Sequence, residues 1–366
     1  MGHGRDFQAL GLMSGTSLDG IDAALLRTDG ERVLETGPAL TLAYDEPFRE
    51  RLRACLGSWD APAEVERELT LHHAEAVRRL LDLAGLPASE IDVIGFHGQT
   101  ILHRPDQRRT RQIGDGALLA GETGIDVVAD FRSADVAAGG QGAPLVPLFH
   151  AALAHALERP LAVLNLGGVG NLTWIGEGGA LIAFDTGPGN ALIDDWALRH
   201  TGRAVDEDGR LAAAGRADEA RVGAFLGQGY FAAHPPKSLD RDDFRRHAAA
   251  LVEGMGAADG AATLTAFTAA SVAAALAHLP ARPRRWLACG GGRRNPVLMA
   301  DLRRRLGAPV QAVEEVGWDG DALEAQAFGF LAVRSLRGLP LTLPETTGVP
   351  VATAGGRVFA SGSSGR

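Results

Sequence analysis

Residues 11–25 read GLMSGTSLDGIDAAL and place a turn rich in glycine and hydroxyl groups between two apolar runs. The flanking runs, Gln8 to Met13 and Ile21 to Arg27, have the composition of strands, so the stretch predicts a β-hairpin. Gly15 and Gly20 allow the backbone to turn, and successive N–H groups in such a turn form a concavity that binds anions. An ordinary surface turn has the same composition, and this stretch alone does not decide between the two.

A second stretch with the same pattern lies about half a chain further on. Residues 161–176, LAVLNLGGVGNLTWIG, read as another apolar hairpin, with Asn165, Gly167 and Gly168 at its tip. Two such turns, one in each half of the chain, favour phosphate binding over coincidence. We therefore predict that both tips contact the phosphates of a nucleotide.

A third glycine turn, CGGGRRN at residues 289–295, joins an apolar strand to a helix. Gly290, Gly291 and Gly292 would let a flat ring lie against bare backbone. Asn295 would begin a helix whose N-terminus favours anions. Taken alone, this turn is better explained as a tight strand-to-helix connection.

Asp185 lies in AFDTGPGNALIDDW (183–196), where it follows an apolar strand and precedes a glycine turn. A carboxylate at the carboxyl end of a strand projects into the cleft where α/β proteins bind ligands. It would act as a general base if water or a hydroxyl lay within hydrogen-bond reach. The competing interpretation, a helix-capping aspartate, suits Asp194 or Asp195 better.

Strands and helices alternate beyond these turns, with helices predicted over Pro62–Ala84 and Asp321–Arg337. Both halves begin with a glycine-tipped hairpin, which predicts an α/β protein of two related domains facing each other across a cleft. We expect a first domain at 1–140 and a second at 141–337, with residues 338–366 packing back on the first. The tail from residue 351 has few packing residues and is predicted to fray.

The composition argues against several classes of protein. The net charge of -9 gives no basic footprint for nucleic acid. The two cysteines, Cys55 and Cys289, have no metal or redox spacing, which indicates a reducing compartment. We identify no signal peptide and no uncharged apolar run near the ~18 residues of a membrane span. We therefore expect a cytoplasmic protein that binds neither nucleic acid nor membrane.

Lysine usage is unusual, because Lys237 is the only lysine and arginine supplies every other basic charge at pH 7. Lys237 lies in PPKS (235–238), so a Walker A loop, which requires GK[ST], is excluded. A compact ammonium there could contact phosphate or close a loop, and chance retention explains it as well.

Together these segments resemble the actin-like ATPase (ribonuclease H-like) fold shared by actin, sugar kinases and heat-shock chaperone ATPases. More narrowly, the chain resembles the anhydro-N-acetylmuramic acid kinase family over almost its whole length. The motifs that carry this resemblance are MSGTSLDGID (13–22), FHGQT (96–100), QIGDGALLA (112–120), DFRSADVAAGGQGAPLVP (130–147), NLGGVGNLT (165–173), FDTGPGN (184–190), PPKS (235–238), CGGGRRN (289–295) and EAQAFGFLA (324–332).

The resemblance implies a reaction of peptidoglycan recycling, in which the 1,6-anhydro bridge of anhydro-N-acetylmuramic acid is hydrolysed as O6 is phosphorylated by ATP. Asp185 would take the proton of the attacking water. The resemblance also implies Mg²⁺, bridging the phosphates, with Asp19 and Asp185 as the nearest motif carboxylates and the metal ligands left open. It implies a homodimer, whereas the sequence itself does not give the oligomeric state.

The resemblance also assigns binding residues. The sugar would contact His97 and Gln99 of FHGQT, Arg132 and Glu324, and the arginine fork suits the lactyl carboxylate of muramic acid. Structural roles stay open for each: a core histidine, a surface charge, or a carboxylate placed for the helix dipole. The nucleotide would contact Gly15, Thr16, Ser17, Leu18, Asp19, Gly20, Ile21, Asp22, Asn165, Gly167, Gly168, Gly290, Gly291, Gly292 and Asn295.

Two other functions fit the same fold. One is a general hexose or amino-sugar kinase that transfers phosphate without opening a bridge. The other is an actin-like switch ATPase with no sugar substrate. A Rossmann dinucleotide binder is disfavoured, since no GxGxxG follows a first strand with an acidic residue downstream.

Overall fold

The computed structural model describes residues 5–15, 17–227, 229–239, 244 and 249–362. The chain forms two compact units, one of residues 1–156 with 321–366 and one of residues 157–320. The sequence had placed these boundaries at 140/141 and 337/338, so each observed boundary lies about 16 residues from the expected one.

The first unit contains a mixed sheet in the order β12-β6-β4-β1-β2-β3, with β5 paired to β4. β1, β2 and β3 are antiparallel neighbours, whereas β1, β4 and β6 run parallel. The predicted hairpin is confirmed, with Met13 opposite Asp22 next to the turn. The strands are β1 (Phe7–Ser14), β2 (Gly20–Thr28), β3 (Val33–Ala43), β4 (Val93–Arg104), β5 (Arg109–Ile113), β6 (Val127–Ala129) and β12 (Arg357–Phe359).

Helices cover this sheet, and the long helix predicted from Pro62 is confirmed, ending at Gly85 in the left-handed conformation. The helices are α1 (Glu46–Ala54), α2 (Ala63–Ala84), α3 (Gly116–Thr123), α4 (Ser133–Ala137), α5 (Pro147–Leu153), α12 (Leu323–Leu336) and α13 (Pro344–Thr347).

Helix α12 belongs to the first unit because three glycines let its backbone lie directly on the sheet. A Cβ on Gly11 would lie 1.7 Å from the carbonyl oxygen of Ala325, and one on Gly95 would lie 2.0 Å from that of Phe328. A Cβ on Gly329 of the helix would lie 2.4 Å from Leu26 Cδ2. This fit explains why the second boundary precedes α12 instead of following it.

The prediction that the tail from residue 351 frays is wrong over Arg357–Phe359. These residues pair antiparallel with β6, with Val358 opposite Val128. The edge of the sheet offers unpaired N–H and C=O groups, so a short segment of low apolar content is ordered by backbone hydrogen bonds.

The second unit repeats the topology of the first. Its sheet has the order β11-β10-β7-β8-β9, again with antiparallel neighbours on one side of the first strand and parallel ones on the other. The predicted class, an α/β protein with two related domains, is confirmed by this repetition. The elements are β7 (Leu161–Leu166), β8 (Val169–Ile175), β9 (Leu181–Pro188), α6 (Ala191–Thr201), α7 (Arg210–Ala213), α8 (Glu219–Leu226), α9 (Gly229–Ala232), α10 (Ala257–Ala274), β10 (Arg285–Cys289), α11 (Pro296–Leu306) and β11 (Val310–Ala312).

The expectation that no apolar run approaches a membrane span is wrong by length and composition. Residues 257–278 are helical, with a mean hydropathy of 1.5 over an 18-residue window. Within the structure, 78% of that window is buried. Phe267 and Val272 of α10 are fully buried in the core of the second unit. The apolar character of α10 is therefore used in packing.

Candidate active site

Ser14 and Gln99 meet at one edge of the first sheet. Parallel pairing of β1 with β4 places Ser14 beside Gln99, and Ser14 Oγ donates a hydrogen bond of 2.7 Å to Gln99 Oε1. Both side chains are buried. Gln99, a predicted sugar contact, is therefore linked to the first glycine loop, residues 15–19, which starts directly after Ser14.

The first glycine loop is fixed by its own backbone and by two neighbouring elements. Leu18 has a φ of +56°, and its N–H donates to the Gly15 carbonyl at 3.2 Å. The N–H of Tyr44 donates to the Asp19 carbonyl at 3.1 Å, and Arg49 Nε donates to the Leu18 carbonyl at 2.9 Å. A buried leucine in the left-handed region shows that the loop conformation is imposed by its surroundings.

The loop exposes part of the predicted nucleotide-binding set. Ser17 and Asp19 are exposed, and Ser17 Oγ donates to Asp19 Oδ1 at 2.6 Å. Gly15 is half-buried. Thr16 lies outside the described residues. The exposed hydroxyl and carboxylate are thus available at the tip of the hairpin.

Of the other residues predicted from this motif, Leu18, Gly20 and Ile21 are buried and Asp22 is half-buried. Leu18 and Ile21 belong to the hydrophobic core of the unit. Gly20 lies against β3, where a Cβ would come 2.5 Å from the Leu42 carbonyl oxygen. Asp22 accepts a hydrogen bond of 2.6 Å from Thr41 Oγ1. Any contact of these residues with a nucleotide would come through their backbone or through the conformation they impose.

His97 and Arg132, two predicted sugar contacts, bind each other. Arg132 Nε and Nη2 donate to His97 Nε2 at 3.2 and 3.0 Å, and His97 Nδ1 donates to the Gly98 carbonyl at 2.7 Å. Since the guanidinium can only donate, Nε2 must accept, which assigns the proton to Nδ1. Burial and the Arg132 charge hold the pKa of His97 well below its usual value, so the ring is neutral.

Arg132 is held from several sides. Its Nη1 donates to the Gly142 carbonyl at 2.5 Å, in addition to the two bonds to His97. Burial lowers its pKa to about 10, against the attraction of Glu324 and Asp135. The side chain therefore stays charged at neutral pH and uses three of its five N–H donors on the protein. His97, Arg132 and Glu324 form one group, with the ring of His97 4.5 Å from that of Phe328 in α12.

In the second unit, the tip of the second hairpin is bound to the start of α6. The carbonyls of Gly167 and Gly168 accept the N–H groups of Asn190 and Gly189, at 2.7 and 3.0 Å. Asn190 Nδ2 also donates to the Leu166 carbonyl at 2.7 Å. These bonds fix the turn between β7 and β8 at the end of the strand pair.

The triple-glycine turn lies against the same place. A Cβ on Gly290, whose φ is +71°, would lie 2.3 Å from Asn165 Oδ1, and one on Gly292 would lie 2.7 Å from Asn190 Oδ1. A Cβ on Gly291 would lie 3.6 Å from Asn190 Nδ2. The structure therefore brings together residues that the sequence separates by more than 100 positions.

Asn295 closes this region in the role of a helix cap. Its Oδ1 accepts from the N–H groups of Val297 and Leu298, at 3.0 and 3.1 Å, at the start of α11. Any contact with a nucleotide would come from the helix N-terminus that Asn295 fixes, together with its remaining amide group.

Asp185 lies in β9 opposite Asn171, three residues before the strand ends, so the strand continues beyond the end that the sequence predicted. Its Oδ2 accepts a hydrogen bond of 2.8 Å from the N–H of Leu239. Burial raises the pKa of the carboxyl to about 7, and the Leu239 N–H opposes this rise. A carboxyl with this pKa is matched to proton transfer near neutral pH.

A family model described as anhydro-N-acetylmuramic acid kinase matches residues 7–361. An anhydro-N-acetylmuramic acid kinase of Paramagnetospirillum magneticum is 64% identical over 95% of this chain and 98% of its own. One of Acidiphilium cryptum is 60% identical over 97% of this chain and 98% of its own. The chain belongs to the anhydro-N-acetylmuramic acid kinase family. Among solved structures, component A of (R)-2-hydroxyglutaryl-CoA dehydratase from Acidaminococcus fermentans matches 90% of this chain and 99% of its own, with 12% identity and a TM-score of 0.48.

Family membership confirms the narrow resemblance and, with the repeated sheet order, the actin-like fold class. Three residues that support the predicted site residues were not predicted from the sequence: Asn190, Tyr230 and Arg293. Asn190 is the last residue of the FDTGPGN motif. Its bond to the Leu166 carbonyl was not predicted, because the two residues are 24 positions apart. Tyr230 Oη donates to the Asp185 carbonyl at 2.6 Å, from a helix without a recognisable motif.

Arg293 contacts the backbone of the triple-glycine turn and stabilises it. Its side chain is only 5% exposed and forms an ion pair of 2.7 Å with Glu314. It also donates from Nη1 to the Gly290 carbonyl at 3.0 Å. The doubled arginine of GGGRRN was visible in the sequence, but nothing there distinguished a buried arginine from a surface one.

Proposed function

We propose that this protein uses ATP to convert 1,6-anhydro-N-acetylmuramic acid and water into N-acetylmuramic acid 6-phosphate and ADP, with Asp185 as the general base. Family membership supports the kinase activity and the sugar. The observation that carries the role of Asp185 is its carboxyl, whose pKa is raised by burial to about 7 and which lies on the strand that leads to the GPGN turn.

The reaction needs one proton acceptor. Water attacks C1 of the sugar and gives its proton to Asp185, while the C1–O6 bond breaks and its electron pair stays on O6. O6 attacks the γ-phosphorus of ATP, and ADP leaves with the electron pair of the broken P–O bond. The new C1 hydroxyl comes from water, and positioning with charge neutralisation supplies most of the catalysis.

The first unit would bind the sugar. Arg132 retains two N–H donors that its bonds to His97 and Gly142 do not use, and a planar pair of donors suits a carboxylate. The lactyl group of muramic acid supplies such a carboxylate. Gln99 and Glu324 would contact sugar hydroxyls or the acetamido group, with His97 orienting the guanidinium.

Each unit carries glycine turns that suit a nucleotide. In the first, the loop at residues 15–19 exposes Ser17 and Asp19. In the second, the turns at Gly167–Gly168 and at residues 290–292 lie together near Asn165. Glycine at these positions lets phosphate and base approach the backbone closely.

The residues present fit a magnesium ion that arrives with the nucleotide. Among the described residues, no group of three or more His, Cys, Asp or Glu side chains could hold a metal by itself. Mg²⁺ on a nucleotide typically uses one or two carboxylates together with phosphate oxygens and water. Asp19 or Asp185 would supply that carboxylate. When bound, the ion would neutralise charge on the phosphates.

The setting of this activity is proposed to be the cytoplasm, with a homodimer as the oligomeric state. A net charge of -9 is consistent with the proposal that nucleic acid is not a partner. The product would then enter amino-sugar metabolism in the recycling of peptidoglycan.

Incubation in ¹⁸O-labelled water tests the chemistry. The proposal predicts one ¹⁸O atom at C1 of the phosphorylated sugar, formed in step with ADP. A general hexose or amino-sugar kinase would phosphorylate an open sugar and place no label at C1. A switch ATPase would release ADP at the same rate with and without sugar.

A further inference from the structure

We propose that Lys237 is a positioning residue that holds the segment 230–239 on Asp185 and thereby orients the catalytic carboxylate. The inference rests on the proposed function of Asp185. It concerns the only lysine of the chain, which the proposed function uses in binding neither the nucleotide nor the sugar.

The ammonium group of Lys237 binds the protein's own backbone. Nζ donates to the carbonyls of Tyr230 and Phe231 at 2.9 and 3.4 Å, at the end of the short helix α9. It lies 4.7 Å from the ring centroid of Tyr230 and 5.7 Å from that of Phe184. The Tyr230 carbonyl also accepts the Ala233 N–H at 3.2 Å, and the Phe231 carbonyl also binds His278 Nε2 at 2.9 Å. Carbonyls at a helix C-terminus favour a cation. Lys237 therefore connects the two ends of the segment.

The same segment contacts Asp185 at three points. The Asp185 N–H donates to the Lys237 carbonyl at 3.0 Å, and Tyr230 Oη donates to the Asp185 carbonyl at 2.6 Å. The Leu239 N–H donates to Asp185 Oδ2 at 2.8 Å. The main chain and the carboxylate of Asp185 are both bound to residues that the Lys237 side chain holds together.

The shape of lysine explains its retention in a chain that otherwise uses arginine. Two carbonyls of consecutive residues and an aromatic face surround a compact charge, which three rotatable N–H donors can satisfy. The ammonium is half-buried, and burial lowers its pKa to about 8. The larger, planar guanidinium of arginine would not fit the same position without moving the segment.

The experiment compares the full-length wild type with K237M and K237R, using ADP release from ATP and anhydro-N-acetylmuramic acid. We expect kcat to fall at least 10-fold in K237M, with the KM for ATP changed less than 3-fold and the thermal midpoint kept within a few degrees. K237R should recover less than half of the loss. R210M, which removes an exposed arginine at 67% side-chain exposure, is the matched control and should leave kcat unchanged.

A double-mutant cycle separates positioning of Asp185 from a general structural effect. If Lys237 acts through Asp185, K237M should lower the residual kcat of D185N less than 2-fold. Equal losses in both backgrounds would overturn the inference. So would a raised KM for ATP at unchanged kcat, which would indicate a phosphate contact, or full activity of K237R. A wild type without sugar-dependent ADP release would instead contradict the proposed function.

Discussion

At the residue scale, the site depends on a few polar side chains whose protonation is set by burial and by single partners. Burial raises the pKa of Asp185 to about 7, while burial and the charge of Arg132 lower the pKa of His97 and keep its ring neutral. The carboxyl can therefore accept a proton near neutral pH, and the histidine serves as an acceptor for arginine.

The pH dependence of kcat/KM follows from the pKa of Asp185. The base must be deprotonated, so activity should fall as the pH drops through about 7, by 10-fold for each further unit. An ordinary aspartate, with a pKa of 3.8, would give a flat profile over this range. Initial rates between pH 5 and 9 check the prediction, and a flat profile down to pH 5 would contradict it.

Substitution of Arg132 by lysine tests the sugar-binding group. Lysine cannot replace a fork that serves His97, the Gly142 carbonyl and a carboxylate at once. We expect R132K to raise the KM for the sugar at least 10-fold while the KM for ATP stays within 3-fold. A substrate analogue without the lactyl carboxylate should be affected little by the change. Equal effects on both KM values would show that Arg132 has a structural role only.

The sequence located many of these side chains but not what they touch. Asp185 was found because it follows an apolar strand and precedes a glycine turn. The partners Leu239 and Tyr230 were missed, because the segment that carries them lies about 50 residues further along and has no periodic pattern. Arg132 was predicted as a sugar contact, and the sequence did not show that three of its donors are used by the protein.

At the element scale, glycines decide where helices and turns can lie. Gly11 and Gly95 allow α12 to lie on the first sheet, and Gly290 and Gly292 allow a turn to pass beside Asn165. The sequence showed that these glycines cluster. It did not show which backbone each one faces, since that depends on distant elements: the Ala325 backbone that Gly11 faces lies 314 residues away.

Replacement of Gly11 by alanine should destabilise the first unit severely. The added Cβ would lie 1.7 Å from the Ala325 carbonyl oxygen, so strand and helix must separate. We expect a loss of more than about 3 kcal/mol in the free energy of unfolding, or no soluble protein. G121A is the control, because Gly121 lies in helix α3 with nothing within 4 Å of an added Cβ. Chemical denaturation measures the free energy of unfolding of both variants. Equal values for G11A and G121A would refute the packing argument.

The ion pair beneath the triple-glycine turn gives a second prediction at this scale. R293M removes the pair with Glu314 and the bond to the Gly290 carbonyl. We expect the KM for ATP to rise about 10-fold, since the turn at residues 290–292 loses its support, while the KM for the sugar stays constant. R304M, which changes an exposed arginine of α11, is the control. A normal KM for ATP in R293M would exclude this role.

At the scale of the whole molecule, two units repeat one sheet order. The sequence predicted the repeat from two glycine-tipped hairpins, because local patterns of strands and turns define a topology of this kind. It placed the boundaries incorrectly for α12 and misjudged the tail, because both depend on contacts between distant parts of the chain.

A buried carboxyl with a raised pKa also affects the stability of the whole molecule. The folded pKa of Asp185, about 7, exceeds the ordinary value of 3.8, so ionisation opposes folding, and stability is lost as the pH rises between these values. We expect D185N to be more stable than the wild type at pH 8, by about 1–4 kcal/mol, with the difference vanishing near pH 4. Thermal unfolding of both proteins across this range provides the measurement, and a less stable D185N at pH 8 would be inconsistent with the raised pKa.

The most direct test of the central claim is the rate of ADP release by wild type and D185N, measured with anhydro-N-acetylmuramic acid and ATP, with nucleotide binding followed separately. Loss of the general base should lower kcat by about 10²–10⁴-fold while the Kd for ATP remains within a few fold. A D185N protein that turns over at the wild-type rate would contradict the account.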